Sequence, residues 1–454
     1  MKKLTRGVIG LLFCSVATPS MALDLKQAME LAQQYDTTFQ AAFATYLAAS
    51  EASNQTTSAV LPQIGFNAFI QRGETENDRD GVVTESDNNS DGYGLNLNQV
   101  IFDKSIFDNL DQGDALVAKA VADLEVAKQD TIIRVSTAYF DVLTAIDTLE
   151  TATAERVAIG KQLEQSTERF NVGLSAITDV KEQQASYDVS KANEIIAAND
   201  LSNKRETLRF IINTYPENLK VADENMPLVI PEPMNMDAWV EKSQQNNFSI
   251  VSANYSLIAA QSAYDSSKGG HYPSLSLNAA YDVVNADDRN FSGIPITANE
   301  NTDASVVLNL NIPIYSGGLV SSTVRQKASE RDQAQALLEQ ERRRTTGLAR
   351  SAYLSLEADI ANVRARKQAV ISTQTSLDAT LAGYDAGTRT SVDVLLSQRQ
   401  LFGAQRDYSV ARYTYLSNSL RLKQVAGILK PEDIDAINEW LIERPAREDQ
   451  DEQQ

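Results

Sequence analysis

Phe170–Val180 reads FNVGLSAITDV, and Tyr384–Val394 reads YDAGTRTSVDV. The two segments lie 214 positions apart, with an aromatic residue, a glycine (Gly173 and Gly387) and an Asp-Val pair in register. Carried outward, the same offset superposes Ala138 and Tyr139 on Ala352 and Tyr353. An offset of 211 superposes Pro62, Asn67 and Ala68 on Pro273, Asn278 and Ala279, and one of 213 superposes Leu97 and Asn98 on Leu310 and Asn311. Altered loop lengths between equivalent elements produce a drift of this size. The chain is therefore a duplication, and one explanation of the fold must serve twice.

Ahead of each quoted segment runs a stretch without proline, Ser105–Phe170 and Val320–Tyr384. In the first, Val121, Leu124, Ile132, Val135, Val142, Ile146 and Leu149 recur at spacings of 3, 4, 7 or 8. A helix of about 65 residues at 1.5 Å per residue is roughly 100 Å long, so these are coiled-coil-like elements reaching outside any compact domain. Each ends at its glycine turn, and a returning helix follows, over Thr178–Ile212 and Val392–Val425.

Upstream of the long helices the period changes to two. Ile64, Phe66, Ala68 and Ile70 alternate with Gly65, Asn67, Phe69 and Gln71, and Tyr93, Leu95 and Leu97 alternate with Gly94, Asn96 and Asn98. The second copy repeats the pattern around Leu275–Tyr281 and Val306–Ile312. Strands are expected over 61–73, 91–102, 271–282 and 303–315, each separating an apolar from a polar environment. The acidic segments between them, Gly73–Gly92 and Asp282–Asp303, read as solvated loops. Asp24–Val60, without Pro or Gly, reads as one weakly apolar helix.

These elements divide the chain into a leader (1–22), repeat 1 (23–214), a Pro-rich linker (215–235), repeat 2 (236–427) and a C-terminal segment (428–454). In the leader, Lys2, Lys3 and Arg6 precede an apolar run and a small-residue site at Ser20-Met21-Ala22, the pattern of a secretory signal peptide. Removing its three cations takes the formal net charge from −20 to −23. So acidic a chain would be repelled by a phosphate backbone, and nucleic acid is excluded as a partner. Cys14, the sole cysteine, leaves with the leader, so no disulfide framework is expected. The tail Arg444–Gln454, rich in Asp and Glu, reads as disordered.

No later segment approaches the roughly 18 apolar residues of a spanning helix, but each expected strand has about the length of a transmembrane β-strand. Four strands cannot close a barrel, and an open edge is not tolerated in lipid. Two chains would supply eight strands and a filled interior, whereas three would supply twelve and leave a passage. The polar set Gly65, Asn67, Gly94, Asn96, Asn98, Ser276, Asn278, Asn309 and Asn311 suits a watery lumen. The competing reading is a periplasmic or secreted coiled-coil structural protein whose strands pack on a soluble partner.

The strand starts LPQIGFNA and YPSLSLNA, the junction NIPIYSGG, the helix segment TAYFDVL and the turns RFNVGLSAITDV and GTRTSVDV resemble the TolC family of outer-membrane channel proteins. The resemblance covers nearly the whole mature chain. It implies an α+β membrane protein: a homotrimer whose four strands per chain form one twelve-stranded transmembrane β-barrel in outer-membrane lipid, continued by a long periplasmic α-helical barrel. It further implies partnership with a periplasmic adaptor protein and an inner-membrane efflux pump or ABC transporter, for drug efflux or type I protein secretion.

By the same resemblance, Tyr384, Arg389, Thr178 and Asp179 fall at positions that lock the periplasmic aperture through hydrogen bonds and a salt bridge. Asp393, repeated around a three-fold axis, would make an acidic ring. Leu396 stands where a second aspartate is often found, and Glu168 replaces a more usual Gln, with Lys181 nearby as a compensating charge. A plainer role for Asp179 and Asp393 is to favour the N-termini of their helices.

Nothing in the sequence points to an enzyme or a cofactor. There is no Gly-rich phosphate loop, no G-x-S-x-G elbow, and the lone His271 has no second His and no Cys to complete a metal site. Phe102 and Tyr315 read as interfacial aromatics or junction packing at strand ends.

Overall fold

In a computed structural model, residues 22–443 are described, except 88, 224–225 and 292–293. The signal-peptide reading of residues 1–21 and the acidic-tail reading of Arg444–Gln454 lie outside the described residues.

The chain begins with two helices, α1 (Leu25–Tyr35) and α2 (Thr37–Ser58), rather than the single helix expected over 24–60. Asp36 makes the break. Its extended backbone ends α1, while its carboxylate accepts a hydrogen bond from the Thr38 amide and begins α2. That carboxylate is 1 % exposed and is paired with the Arg134 guanidinium, which is 36 % exposed. Asp36→Ala is expected to cost about 2 kcal/mol, roughly half from the cap and half from the lost ion pair, because Arg134 can turn to water. Denaturation midpoints would measure this. Asp36→Asn keeps an acceptor for Thr38 and should recover about half.

Four strands and two long helices complete the first copy. β1 (Gln63–Gln71) leads to a hairpin, β2 (Glu74–Arg79) and β3 (Val82–Asp87), and β4 (Ser90–Phe102) runs into α3 (Lys104–Asn171), which returns as α4 (Ile177–Ile212). β5 (Val221–Ala222) lies in the linker. In the second copy α5 (Met236–Asn246) and α6 (Phe248–Gly269) precede β6 (Ser274–Ala286), the hairpin β7 (Arg289–Phe291) and β8 (Ile294–Ile296), and β9 (Asn299–Asn311). Then come α7 (Leu319–Asp385), α8 (Ser391–Val425), α9 (Pro431–Asn438) and β10 (Leu441–Ile442).

The four expected strands are present with shifted ends, and the two segments read as loops are largely strand. β2 pairs with β3 through Asp80-Gly81, both at positive φ (56° and 83°), the conformation of a type I′ hairpin turn. β6 and β9 likewise extend into the second acidic segment, and β7 pairs with β8 there.

β1, β4, β6 and β9 form one antiparallel sheet in that order. Each strand is continuous with one helix: α2 enters β1, β4 enters α3, α6 enters β6 and β9 enters α7. The helices pack in the same sequence, α2 on α3, α3 on α6 and α6 on α7. The molecule is thus four strand-helix staves laid side by side. β1 and β9 are the free edges of the sheet.

Register sorts the two faces. Ile64 opposes Leu97, Phe66 opposes Leu95, and Leu308 opposes Leu277, so one face is apolar; Ile64, Phe66 and Val306 are 73, 68 and 73 % exposed. All nine residues of the polar set share the other face. On that face a Cβ added at Gly65 would come within 2.6 Å of the Asn96 side chain, and one at Gly94 within 2.0 Å of Asp282. The polar side chains therefore lean together over glycines, as on the inner side of a curved sheet.

The main core lies at the waist, where α1, α3, α4, α7, α8 and α9 meet around Tyr139, Phe140, Leu143, Leu208, Ile212 and Leu420. Phe140 stacks on Tyr413 at 6.1 Å between centroids. The linker is tied to this core. Tyr139 has its hydroxyl 3.0 Å from the Leu23 carbonyl and 2.8 Å from that of Lys220, and donates to one at a time. Arg412 donates to the carbonyls of Ala222 and Asp223, and β5 pairs with β10 beside it.

Candidate functional site: the helical tip

Far from the sheet, α3 turns into α4 and α7 into α8, at the two segments that revealed the duplication. The turns have one backbone design. After α3, the Leu174 amide donates to Arg169 O (2.7 Å) and the Gly173 amide to Phe170 O (2.9 Å); after α7, Thr388 donates to Gly383 O (2.8 Å) and Gly387 to Tyr384 O (3.0 Å). Both are Schellman closures, which require a left-handed residue, and Gly173 and Gly387 supply it at φ 78° and 76°.

The two tips touch. The Arg169 guanidinium lies 4.9 Å from the centre of the Tyr384 ring, a cation–π contact between the end of α3 and the end of α7. Gln183, fully buried on α4, reaches the Ser391 carbonyl at the start of α8 at 3.4 Å. Neither contact follows from the sequence: Arg169 opens the RFNVGLSAITDV turn and Tyr384 is an expected lock residue, but nothing in the turn pairs them, and Gln183 lies outside any motif.

The expected lock residues fall at the tip but are not all joined within one chain. Asp393 closes a capping box with Thr390: the Thr390 amide and hydroxyl each lie 2.9 Å from its carboxylate, and its own amide donates to the Thr390 hydroxyl at 3.3 Å. The backbone amide of Thr390, then its hydroxyl, hold the Asp393 carboxyl below the usual carboxylate range, and the nearby Arg389 charge adds to them. The spacing Thr390-x-x-Asp393 was the signal that could have revealed this box. Asp179 is half-buried in the first turn of α4, whose N-cap, Ala176, offers no side-chain acceptor. Thr178 and Arg389 are exposed. Among the described residues no ion pair joins Arg389 to Asp179, nor Lys181 to Glu168.

Elsewhere the expected roles resolve into structure. His271 is an exposed residue of the turn after α6, before β6 begins at Ser274, and not the first residue of a strand. Phe102 ends β4 and packs on Phe107 at 6.2 Å, whereas Tyr315 lies beyond β9 at 86 % exposure. Among the described residues no group of three or more His, Cys, Asp or Glu could hold a metal ion, and no helix is long and apolar enough to cross a membrane.

Comparison with known proteins agrees with this geometry. The family described as outer membrane efflux protein matches residues 28–214 and 239–428, one segment per copy. The outer membrane protein TolC of Escherichia coli (strain K12) is 36% identical over 450 residues, 97% of this chain and 90% of that protein. The alkaline protease secretion protein AprF of Pseudomonas aeruginosa is 26% identical over 98% of this chain and 94% of its own length. The crystal structure of the Campylobacter jejuni CmeC outer membrane channel superposes with a TM-score of 0.74 at 16% identity, over 92% of this chain and 90% of that one. This chain belongs to the outer membrane efflux protein family.

Proposed function

We propose that this protein is a passive outer-membrane exit duct, in which three copies join edge to edge, β9 of one beside β1 of the next, to close a twelve-stranded barrel. The observation that carries the reading is the set of four strand-helix staves with an apolar outer face, a polar inner face and two unpaired edges. A sheet edge in hydrocarbon leaves backbone groups unbonded, and closure with further copies satisfies them. Twelve strands leave an aqueous passage, and α3 and α7, at 68 and 67 residues, carry it about 100 Å into the periplasm. The repeats at 23–214 and 236–427 are the two halves of each subunit's wall.

Relatives named for efflux and for protease secretion support both small molecules and type I protein substrates as cargo. The tip is where a periplasmic adaptor and an inner-membrane efflux pump or ABC transporter would engage. Because Arg389 and Asp179 are unpaired with each other inside one chain, the lock is formed across a protomer boundary, with Tyr384 and Thr178 beside it. Asp393 then serves first as a cap and second as a ring of three carboxylates.

Detergent-extracted protein should run as a trimer and give discrete single-channel conductance in planar bilayers. A monomer in the periplasmic supernatant without conductance would support the scaffold reading instead.

A further inference from the structure

The buried seam that α4 presents to its neighbours changes character along its length. Near the waist α4 buries Leu201, Leu208 and Ile212, whereas toward the tip its buried positions are Gln183, Ser186 and Ser190, at 0, 8 and 2 % exposure. On α3 the last buried residues before the turn, after Ile159, are Gln162 and Ser166, and α8 buries Ser391 and Gln398 interleaved with Val394, Leu395 and Leu401. The positions 183, 186 and 190 keep the spacing of a packing seam, so these are core sites filled with polar residues rather than a solvated face.

The seam is also incompletely bonded. Gln162 Nε2, Gln183 Oε1 and Gln398 Oε1 are shielded from solvent and have no hydrogen-bond partner among the described residues. An amide atom buried without a partner is disfavoured, and water restores what it lacks. An apolar seam behaves the other way, since parting it exposes hydrocarbon.

We infer that the polar seam is a hinge that opens by wetting: water enters between α4 and its neighbours α3 and α8 as the tip parts, and the apolar waist limits how far the parting runs. The inference rests on the duct reading for its purpose, but not for its physics. It places the stop near Ala197 and Leu201, where the buried positions of α4 turn apolar. It also explains why the closed tip needs ionic and aromatic contacts such as Arg169 on Tyr384, since its own core resists opening weakly.

The test uses the full-length detergent-solubilised protein and the near-isosteric Gln183→Met/Gln398→Met variant, which removes two of the three orphaned amides without changing side-chain length. Hydrogen exchange at the amides of 183–190 is expected to slow about tenfold or more, with 201–212 unchanged. In an Arg389→Ser background the same pair of substitutions is expected to cut conductance at least by about half. Exchange at 183–190 as fast as in the unmodified protein, in a variant with the same helical melting curve, overturns the hinge. Gln183→Met alone, expected to give a partial slowing, decides the matter if the double variant fails to fold. If the unmodified protein conducts nothing, the duct reading falls, and the exchange result still decides the seam.

Discussion

Gly427→Ala is expected to destabilise the waist by about 3 kcal/mol or more. α8 ends in a third Schellman closure, with the Gly427 amide donating to Gln424 O at 2.9 Å and the Ile428 amide to Lys423 O at 3.0 Å. Gly427 is left-handed at φ 70°. Left-handedness alone costs a non-glycine residue about 1–2 kcal/mol. Here space is lacking as well. A Cβ would come within 2.2 Å of the Asn246 carbonyl oxygen and 2.7 Å of the Asn247 amide nitrogen, which are backbone atoms at the corner between α5 and α6. That corner cannot withdraw freely, because the Asn247 side chain caps α6 through Ser249 and also donates to Val425 O at 2.9 Å.

The duplication supplies the control. The position 214 residues earlier is Asn213, also left-handed at φ 54° but exposed to solvent. Copy one therefore tolerates a side chain where copy two cannot. Gly427→Asn should be about as damaging as Gly427→Ala, while Asn213→Gly should move the melting temperature by no more than the equivalent of about 1 kcal/mol. Loss of helical circular dichroism on heating, in detergent, measures all three. Wild-type melting of Gly427→Asn would show that the corner yields and that only backbone conformation matters.

What was legible in the sequence had a period. The staves were visible because the chain switches from period two at Ile64–Ile70 to helical spacing at Val121–Leu149, and does so twice. The elements missed had no period to read. β2 and β3 carry so many Asp, Glu and Asn residues that composition masked the Asp80-Gly81 turn signal between them. The break between α1 and α2 rests on one buried aspartate whose partner, Arg134, is 98 residues away. β5 and β10 pair only two residues each across 220 positions, so local patterning could not announce them. The lock rests on family resemblance alone, whereas the capping box at Thr390 is signalled by the Thr390-x-x-Asp393 spacing itself.

That difference bears on the second large effect, an expected rise in conductance on Arg389→Ser. Each exposed ion pair contributes only about 0–1 kcal/mol, but a three-fold assembly contains three. If each contributes near the upper end, their joint loss shifts the closed-to-open ratio by about a hundredfold, since about 1.4 kcal/mol is a factor of ten. Asp179→Ala should act in the same direction through the same pair. The double variant should then conduct little more than either single one, because removing both partners removes one interaction. Helix capping makes a different set of forecasts. Asp179 occupies the first turn of α4 beneath an N-cap without a side-chain acceptor, so Asp179→Ala weakens that helix end whatever Arg389 does. Arg389 lies outside both helices, between Gly387 and Thr390, and its loss leaves the Thr390–Asp393 box intact. Arg389→Ser thus separates the readings. Raised conductance without loss of helicity supports a lock across protomers, and unchanged conductance in both single variants leaves Asp179 and Asp393 as helix-terminal residues only. Arg389→Lys refines the result: an ammonium keeps the charge but not the planar fork, so conductance between wild type and Arg389→Ser is expected if the pair is bidentate.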